Sequence, residues 1–320
     1  MSGTSQPARE ARTGHEESAD SPPAGRGFVL AWFERYWLAV WFFVVTGARL
    51  SLLDFKDLDR FFLDGGIYLL ATRTWLAGGD PFTVELHQLT FAAPPPTLLP
   101  MVPFAVLPPA IGLATLALAL VVSAVLTVRM LGLPWWWLAF PPLVECVITG
   151  NPHGLLLPLM LSGRGWLAIL VKLYAVVPIA ILRQWRQVFL AAVAIVITIP
   201  ILPWQQFFAE FTQVAGRHSE ISHYGLPAEL YLLLAPFGVL SLLIVGREKA
   251  AWMSVPALWP SLQPYYTTLA MPTRSAVAAA IIALPINQSG LFALFALAAL
   301  HVTGWHRSRD RGRVRDSDRG

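Results

Sequence analysis

Residues 110–128 read Ala-Ile-Gly-Leu-Ala-Thr-Leu-Ala-Leu-Ala-Leu-Val-Val-Ser-Ala-Val-Leu-Thr-Val. The run carries no ionisable side chain and approaches the ~20 residues that a helix needs to cross the hydrocarbon core of a bilayer. Similar stretches recur on both sides of it. Towards the N-terminus lie Tyr36 to Leu53 and Pro96 to Leu107. Towards the C-terminus come Pro134 to Ile148, His153 to Leu161, Trp166 to Leu182, Val188 to Leu202, Pro227 to Val245, Ala250 to Leu262, Ser275 to Ile286 and Leu291 to His301. Several are short, so the pattern predicts about nine to eleven spans. The expected fold class is all-α: a polytopic integral membrane protein with about 9–11 transmembrane helices.

Composition points the same way. Hydrophobic residues make up 56% and charged residues 13%, and the mean hydropathy is +0.57, against roughly 45–50% apolar and ~25% charged in soluble domains. A soluble chain of this balance would have too little polar surface to cover itself. The net charge of +4 does not suggest nucleic acid, because the basic residues stand at helix ends and in the C-tail rather than on one compact surface. Arg183 and Arg186, Arg247 and Lys249, and Arg307 to Arg315 form basic clusters that favour the cytoplasmic side, which predicts both termini there. Arg129 does not fit easily with that count of crossings.

Residues 1–27 are expected to be a disordered cytoplasmic tail, since Met1 to Arg26 have too little apolar content to offset the entropy of ordering. No cleavable signal peptide fits, so the first helix is expected to stay as an anchor. Residues 28–304 form the transmembrane domain, and 305–320 a basic cytoplasmic tail. The lone cysteine, Cys146, excludes an internal disulfide and reads as a small buried core residue.

The polar exception is the first extracytoplasmic loop, residues 54–95. It contains Leu63-Asp64-Gly65-Gly66-Ile67-Tyr68 and Trp75-Leu76-Ala77-Gly78-Gly79-Asp80-Pro81-Phe82. Asp64 stands at the start of an expected amphipathic helix on the membrane surface, where it serves either as an N-cap or as a base. Asp54, Lys56, Asp57, Asp59 and Arg60 read most simply as a solvated helix exit. Lys172 lies in the middle of an apolar span. It either snorkels to the interface or holds an anion, because charge at membrane depth costs about 2.5–3.5 kcal/mol on insertion scales. Arg217, His218, Glu220 and His223 share a loop on the same side as Asp64. There is no phosphate-cradling loop, zinc-protease motif or nucleophile elbow.

In order along the chain, these segments resemble the GT-C membrane glycosyltransferases, and among them the bacterial polyprenol-phosphate-mannose-dependent alpha-mannosyltransferase-like family. Asp64 to Tyr68 followed by Gly78-Gly79-Asp80-Pro81-Phe82 is similar to that family's aspartate-x-x-x-tyrosine and GGDPY turn. Phe91-Ala92-Ala93-Pro94-Pro95 resembles its F-x-YPP segment. Gly150-Asn151-Pro152-His153-Gly154 occupies the place of GQ-x-N, Lys172 with Pro178 that of a lysine and proline pair, and Leu182 to Arg186 that of a basic end. Trp259-Pro260-Ser261-Leu262-Gln263-Pro264-Tyr265-Tyr266 resembles the late tryptophan-proline segment. The chain departs from the pattern where Tyr265 stands for a histidine and Ala93 for a tyrosine.

The resemblance implies transfer of mannose or arabinofuranose, with inversion, from a polyprenyl-phosphate donor to a glycolipid or polysaccharide acceptor of the cell envelope. Asp64 would be the general base. Lys172, Arg217 and His218 would hold the donor phosphate. Tyr68, Trp75, Asp80, Tyr265 and Tyr266 are candidate sugar or acceptor contacts, although interfacial aromatics also serve as anchors. No cofactor is implied and a metal is left unclaimed. The expected location is the plasma membrane, multi-pass, with the site on the extracytoplasmic side. A transporter or lipid flippase, with Lys172 and Glu145 inside the membrane, and a non-catalytic relative acting in assembly remain as alternatives.

Overall fold

The computed structural model describes residues 26–51, 61–87, 89–212, 228–259, 263–284 and 291–302. Among them the chain is mostly helical, and the strands are confined to one antiparallel hairpin, β1 (Glu85–Leu86) with β2 (Leu89–Thr90), in which Leu86 pairs with Leu89. The all-α class holds. Two units are distinguished, residues 1–37 and 38–320. The described part of the first is the beginning of α1 (Arg26–Ser51), a helix that already starts at Arg26. Of the tail expected at 1–27, residues 26 and 27 belong to this helix and 1–25 lie outside the described residues, as does the tail expected at 305–320.

The second unit contains α2 (Leu63–Leu76), α3 (Leu98–Ala105), α4 (Pro109–Met130), α5 (Pro141–Thr149), α6 (Leu156–Leu161), α7 (Gly165–Val171), α8 (Val176–Ile181), α9 (Trp185–Thr198) and α10 (Trp204–Ala209). It continues with α11 (Ala228–Ile244), α12 (Arg247–Leu258), α13 (Ala276–Ile282) and α14 (Leu291–Val302). The opening run of the sequence analysis is α4, which Pro109 can start because the first helical turn needs no donor at that position. One edge of α4 is buried at Gly112, Leu116, Leu120, Ser123 and Thr127, the three-to-four spacing of one helical face. Its other side leaves Ile111, Leu118, Val121 and Val122 exposed. This helix is long and apolar enough to cross a membrane, and the other apolar helical stretches, such as Tyr36–Ser51 of α1, are shorter. Large apolar side chains are exposed on α9 (Phe189, Val196, Ile197) and on α11, where Leu243 is 77% exposed.

Two expected spans are broken rather than continuous. The run Pro134 to Ile148 folds as a 3-10 segment, Trp135–Ala139, and then α5, because the pair Pro141 and Pro142 suits a first helical turn and disfavours the interior of one. The run Trp166 to Leu182 folds as α7, a 3-10 segment Leu173–Ala175, and α8. A continuous helix would drive the Pro178 ring into the carbonyl of Tyr174, so the chain opens upstream, and Lys172 takes extended backbone angles of φ −148° and ψ 113°.

The helix expected on the membrane surface is formed, as α2, but most of one apolar side meets protein, while Leu76 is exposed. Ile67, Tyr68, Leu69 and Ala71 are buried, and the helix packs on α3, α4 and α5. Its ring-rich core includes Tyr68, Phe82, Phe91 and Phe207. Arg73 fastens α2 to the end of α3 by donating to the carbonyls of Ala105 (2.9 Å) and Leu107 (3.1 Å).

Candidate functional site

The site begins with a close approach of two glycines. Gly150 ends α5 in the left-handed region at φ +70°, and a Cβ on Gly65 would lie 3.1 Å from the Gly150 carbonyl oxygen. Only small residues with free backbone angles allow this contact. The Phe62 amide donates to the Ile148 carbonyl at 2.8 Å, which fixes the same junction. As a result Asp64, on the first turn of α2, stands beside Asn151, the residue after Gly150.

Asp64 does not cap its helix. The N-cap is Phe62, in the left-handed region at φ 58°, with no side-chain cap. The carboxylate instead accepts from the Asn151 amide, Nδ2 to Oδ2, at 2.8 Å. The second Nδ2 hydrogen of Asn151 goes to the Tyr265 hydroxyl at 2.8 Å, and its Oδ1 accepts from the His153 amide at 2.9 Å. Every polar hydrogen of that side-chain amide is therefore committed. Burial raises the Asp64 pKa above its ordinary value; the Asn151 bond, the Lys172 charge and the hydroxyls of Tyr265 and Thr149 pull it back down. A carboxylate in that balance is a stronger base than one in water.

Tyr68 follows Asp64 by one helical turn and so faces the same way. Its ring packs edge-on against Phe91 with centroids 5.4 Å apart. Its hydroxyl accepts from the Lys172 ammonium, which also lies 4.7 Å from the centre of the Tyr68 ring. Lys172 is only 7% exposed, so it does not snorkel. The break between α7 and α8 delivers it to the interior, where a cation is costly unless it is paired or hydrogen-bonded.

The far wall is aromatic. Tyr266 stacks on the His153 ring (5.2 Å, 24° between planes) and meets Tyr174 at 4.7 Å. Tyr174 in turn meets Trp259 at 5.2 Å. The His153 Nδ1 hydrogen-bonds to the Tyr174 hydroxyl at 2.5 Å, and Nε2 to the Thr268 hydroxyl at 2.8 Å.

Of the residues singled out in the sequence, the fold brings together Asp64, Tyr68, Lys172, Tyr265 and Tyr266. Trp75 packs against the apolar core beneath α2. Asp80 caps the 3-10 segment Pro81–Thr83, its Oδ1 accepting from the Phe82 amide at 2.9 Å. Arg217 and His218 lie outside the described residues, as do Asp54, Asp57, Asp59, Arg60 and His223. Glu145 is not among the cluster's bonded partners; it pairs with Arg49 at 2.7 Å. Cys146 is buried. Among the described residues no group of three or more His, Cys, Asp or Glu side chains is placed to hold a metal.

Sequence reasoning gave no role to Asn151, His153, Tyr174 or Thr268. A signal for Asn151 was present: asparagine between a helix-ending glycine and a proline is a capping residue, and its amide then points sideways. His153 was marked only as part of the segment Gly150 to Gly154, and its pairing with Thr268 carried no signal, because contact between residues 115 apart leaves no local pattern. No family model, no curated protein and no solved structure matches this chain.

Proposed function

We propose that this chain is a polytopic membrane glycosyltransferase that moves a sugar from a polyprenyl-phosphate donor to a glycolipid or polysaccharide of the cell envelope. The observation that carries the reading is a half-buried base and a buried cation in one side-chain cluster: Asp64 held by Asn151, and Lys172 delivered by a broken helix to the Tyr68 hydroxyl. The Lys172 charge, after the Asn151 bond, helps hold down the Asp64 pKa that burial raises. The order of motifs from Asp64 to Tyr266 supports the same class.

In this reading the acceptor hydroxyl oxygen attacks the anomeric carbon while its proton passes to Asp64. The bond from the anomeric carbon to the phosphate oxygen breaks, and the phosphate leaves with the electron pair. Lys172 stabilises the charge that develops there, where a fixed donor is worth most. Displacement from the opposite face gives inversion. The polyprenyl chain stays in the bilayer, so no nucleotide-binding fold is required.

The multi-pass plasma-membrane location belongs to the same proposal. It is supported by the apolar length of α4 and by the large exposed side chains on α9 and α11, which in water would form apolar patches of a kind soluble monomers avoid. In this reading the termini are cytoplasmic and Asp64 is on the extracytoplasmic side, an orientation that the basic clusters support.

The test is transfer from radiolabelled polyprenyl-phosphate mannose, and in parallel polyprenyl-phosphate arabinose, to envelope glycolipids by the purified full-length protein. Transfer from one donor that disappears in Asp64→Asn is the expected result. Undiminished transfer by Asp64→Asn, in protein that melts like the wild type, would sink the assignment of the base.

A further inference from the structure

Three 3-10 segments bear the site. Asn151 is the residue before Pro152–Leu155, Lys172 is the residue before Leu173–Ala175, and Tyr265 lies within Pro264–Thr273. Segments of this kind have poor internal hydrogen-bond geometry and do not hold their own position well. What sets them relative to one another must be side chains that pass between them.

One side chain does so for all three. His153 belongs to the first segment, reaches Tyr174 of the second through Nδ1 at 2.5 Å, and reaches Thr268 of the third through Nε2 at 2.8 Å. Its ring also lies on Tyr266, the neighbour of Tyr265. It is 1% exposed. A single imidazole tautomer satisfies both bonds, because one ring nitrogen donates, the other accepts, and hydroxyls take either role. The angle between its two nitrogens fixes the two hydroxyls about one plane, which an aliphatic side chain of the same volume cannot do.

We propose that His153 is the positioning residue of this site: it sets where Asn151, and with it Asp64, stands relative to Lys172 and Tyr265. The inference deepens the glycosyltransferase reading and rests on it for the activity arm of the test alone.

The experiment uses full-length protein in lipid nanodiscs and three variants. His153→Phe keeps the ring and its stacking but loses both bonds. Tyr174→Phe combined with Thr268→Val loses the same two bonds while the imidazole stays. His153→Gln retains one donor and one acceptor. The first readout is the rate at which a hydrophobic carbodiimide modifies Asp64, with Glu145 on the same molecule as internal reference. His153→Phe is expected to change the Asp64 rate about tenfold, the range of coupling within one hydrogen-bonded network, with Glu145 within about twofold. The double variant should reproduce this, and His153→Gln should recover most of it. The second readout is transfer, where kcat is expected to fall about tenfold with donor KM little changed.

Equal changes at Asp64 and Glu145 would mean general loosening and would overturn the proposal. So would an unchanged Asp64 rate in a destabilised His153→Phe protein. Should His153→Phe not fold, the double variant decides by the same two criteria. A wild-type protein that transfers no sugar would count against the proposed function, and the modification rates would still decide the role of His153.

Discussion

Among the described residues, the cations of Arg49 and Lys172 are kept in opposite ways. Arg49 donates to Glu145 at 2.7 Å and to the Leu284 carbonyl at 3.0 Å, with both members of the ion pair about a quarter exposed (24% and 26%). That pair joins α1 to α5 and to the end of α13, with the charge neutralised on the spot. Lys172 is more deeply buried, yet among the described residues its ammonium donates to a neutral phenol, that of Tyr68. A charge left without a carboxylate in direct contact is expensive for the fold. The first arrangement is that of a structural tie, and under the proposed function the second would receive the donor phosphate.

The largest expected effect falls on the base that faces the second cation. Asp64→Asn keeps the shape and removes the proton acceptor, so transfer should fall by about 10²–10⁴-fold with the melting temperature close to wild type. The same carboxylate sets a pH dependence. Burial raises its pKa, and a base works only when deprotonated, so the rate should rise with pH through a midpoint above the ~3.9 of a free aspartate. A profile flat down to that value would mean that the proton goes elsewhere.

Next in size is the contrast between the two cations themselves. Lys172→Met should weaken the polyprenyl-phosphate donor by about 10-fold to 100-fold, the worth of one charge-assisted hydrogen bond. Stability should hold or rise, since a buried ammonium has been removed. Glu145→Gln should do the reverse, costing roughly 1–2 kcal/mol in denaturant unfolding, between the values for exposed and buried pairs, with donor affinity unchanged. If Lys172→Met unfolds the protein and leaves donor affinity intact, the distinction fails and both cations are structural.

The sequence made half of this contrast legible. Lys172 and Asp64 stood out because ionisable residues beside apolar runs are costly, and cost is visible in one dimension. Tyr68 came with Asp64 at one-turn spacing. The break that turns Lys172 inward was hidden, because the run from Trp166 to Leu182 is apolar throughout and hydropathy does not register a bend. Pro178 was the only mark of it. The pairings of neutral polar residues were the least legible: Asn151, noted only within the segment Gly150 to Gly154, lies 87 residues from Asp64 and 114 from Tyr265, and a threonine in an apolar stretch is too cheap to attract notice. The burial of α2 escaped for a related reason. An amphipathic pattern shows that a helix has an apolar side but does not say whether lipid or protein covers it.

The smallest effect is the one that most sharpens the difference. Tyr68→Phe keeps the ring, and with it the edge-on contact to Phe91, but takes away the hydroxyl that Lys172 uses. The unbound protein is then left with a buried ammonium short of a partner, at a cost of about 1–3 kcal/mol. A phosphate donor restores a partner on binding, so it should stabilise Tyr68→Phe more than it stabilises the wild type. The quantity to measure is the rise in melting temperature produced by a saturating non-transferable polyprenyl phosphate. A larger rise in Tyr68→Phe, abolished when Lys172→Met is added, means that the phenol holds the place of the incoming anion. Equal rises in the two proteins would mean that the donor phosphate docks elsewhere, and Lys172 with Tyr68 would then belong with Arg49 and Glu145 as a tie within the fold.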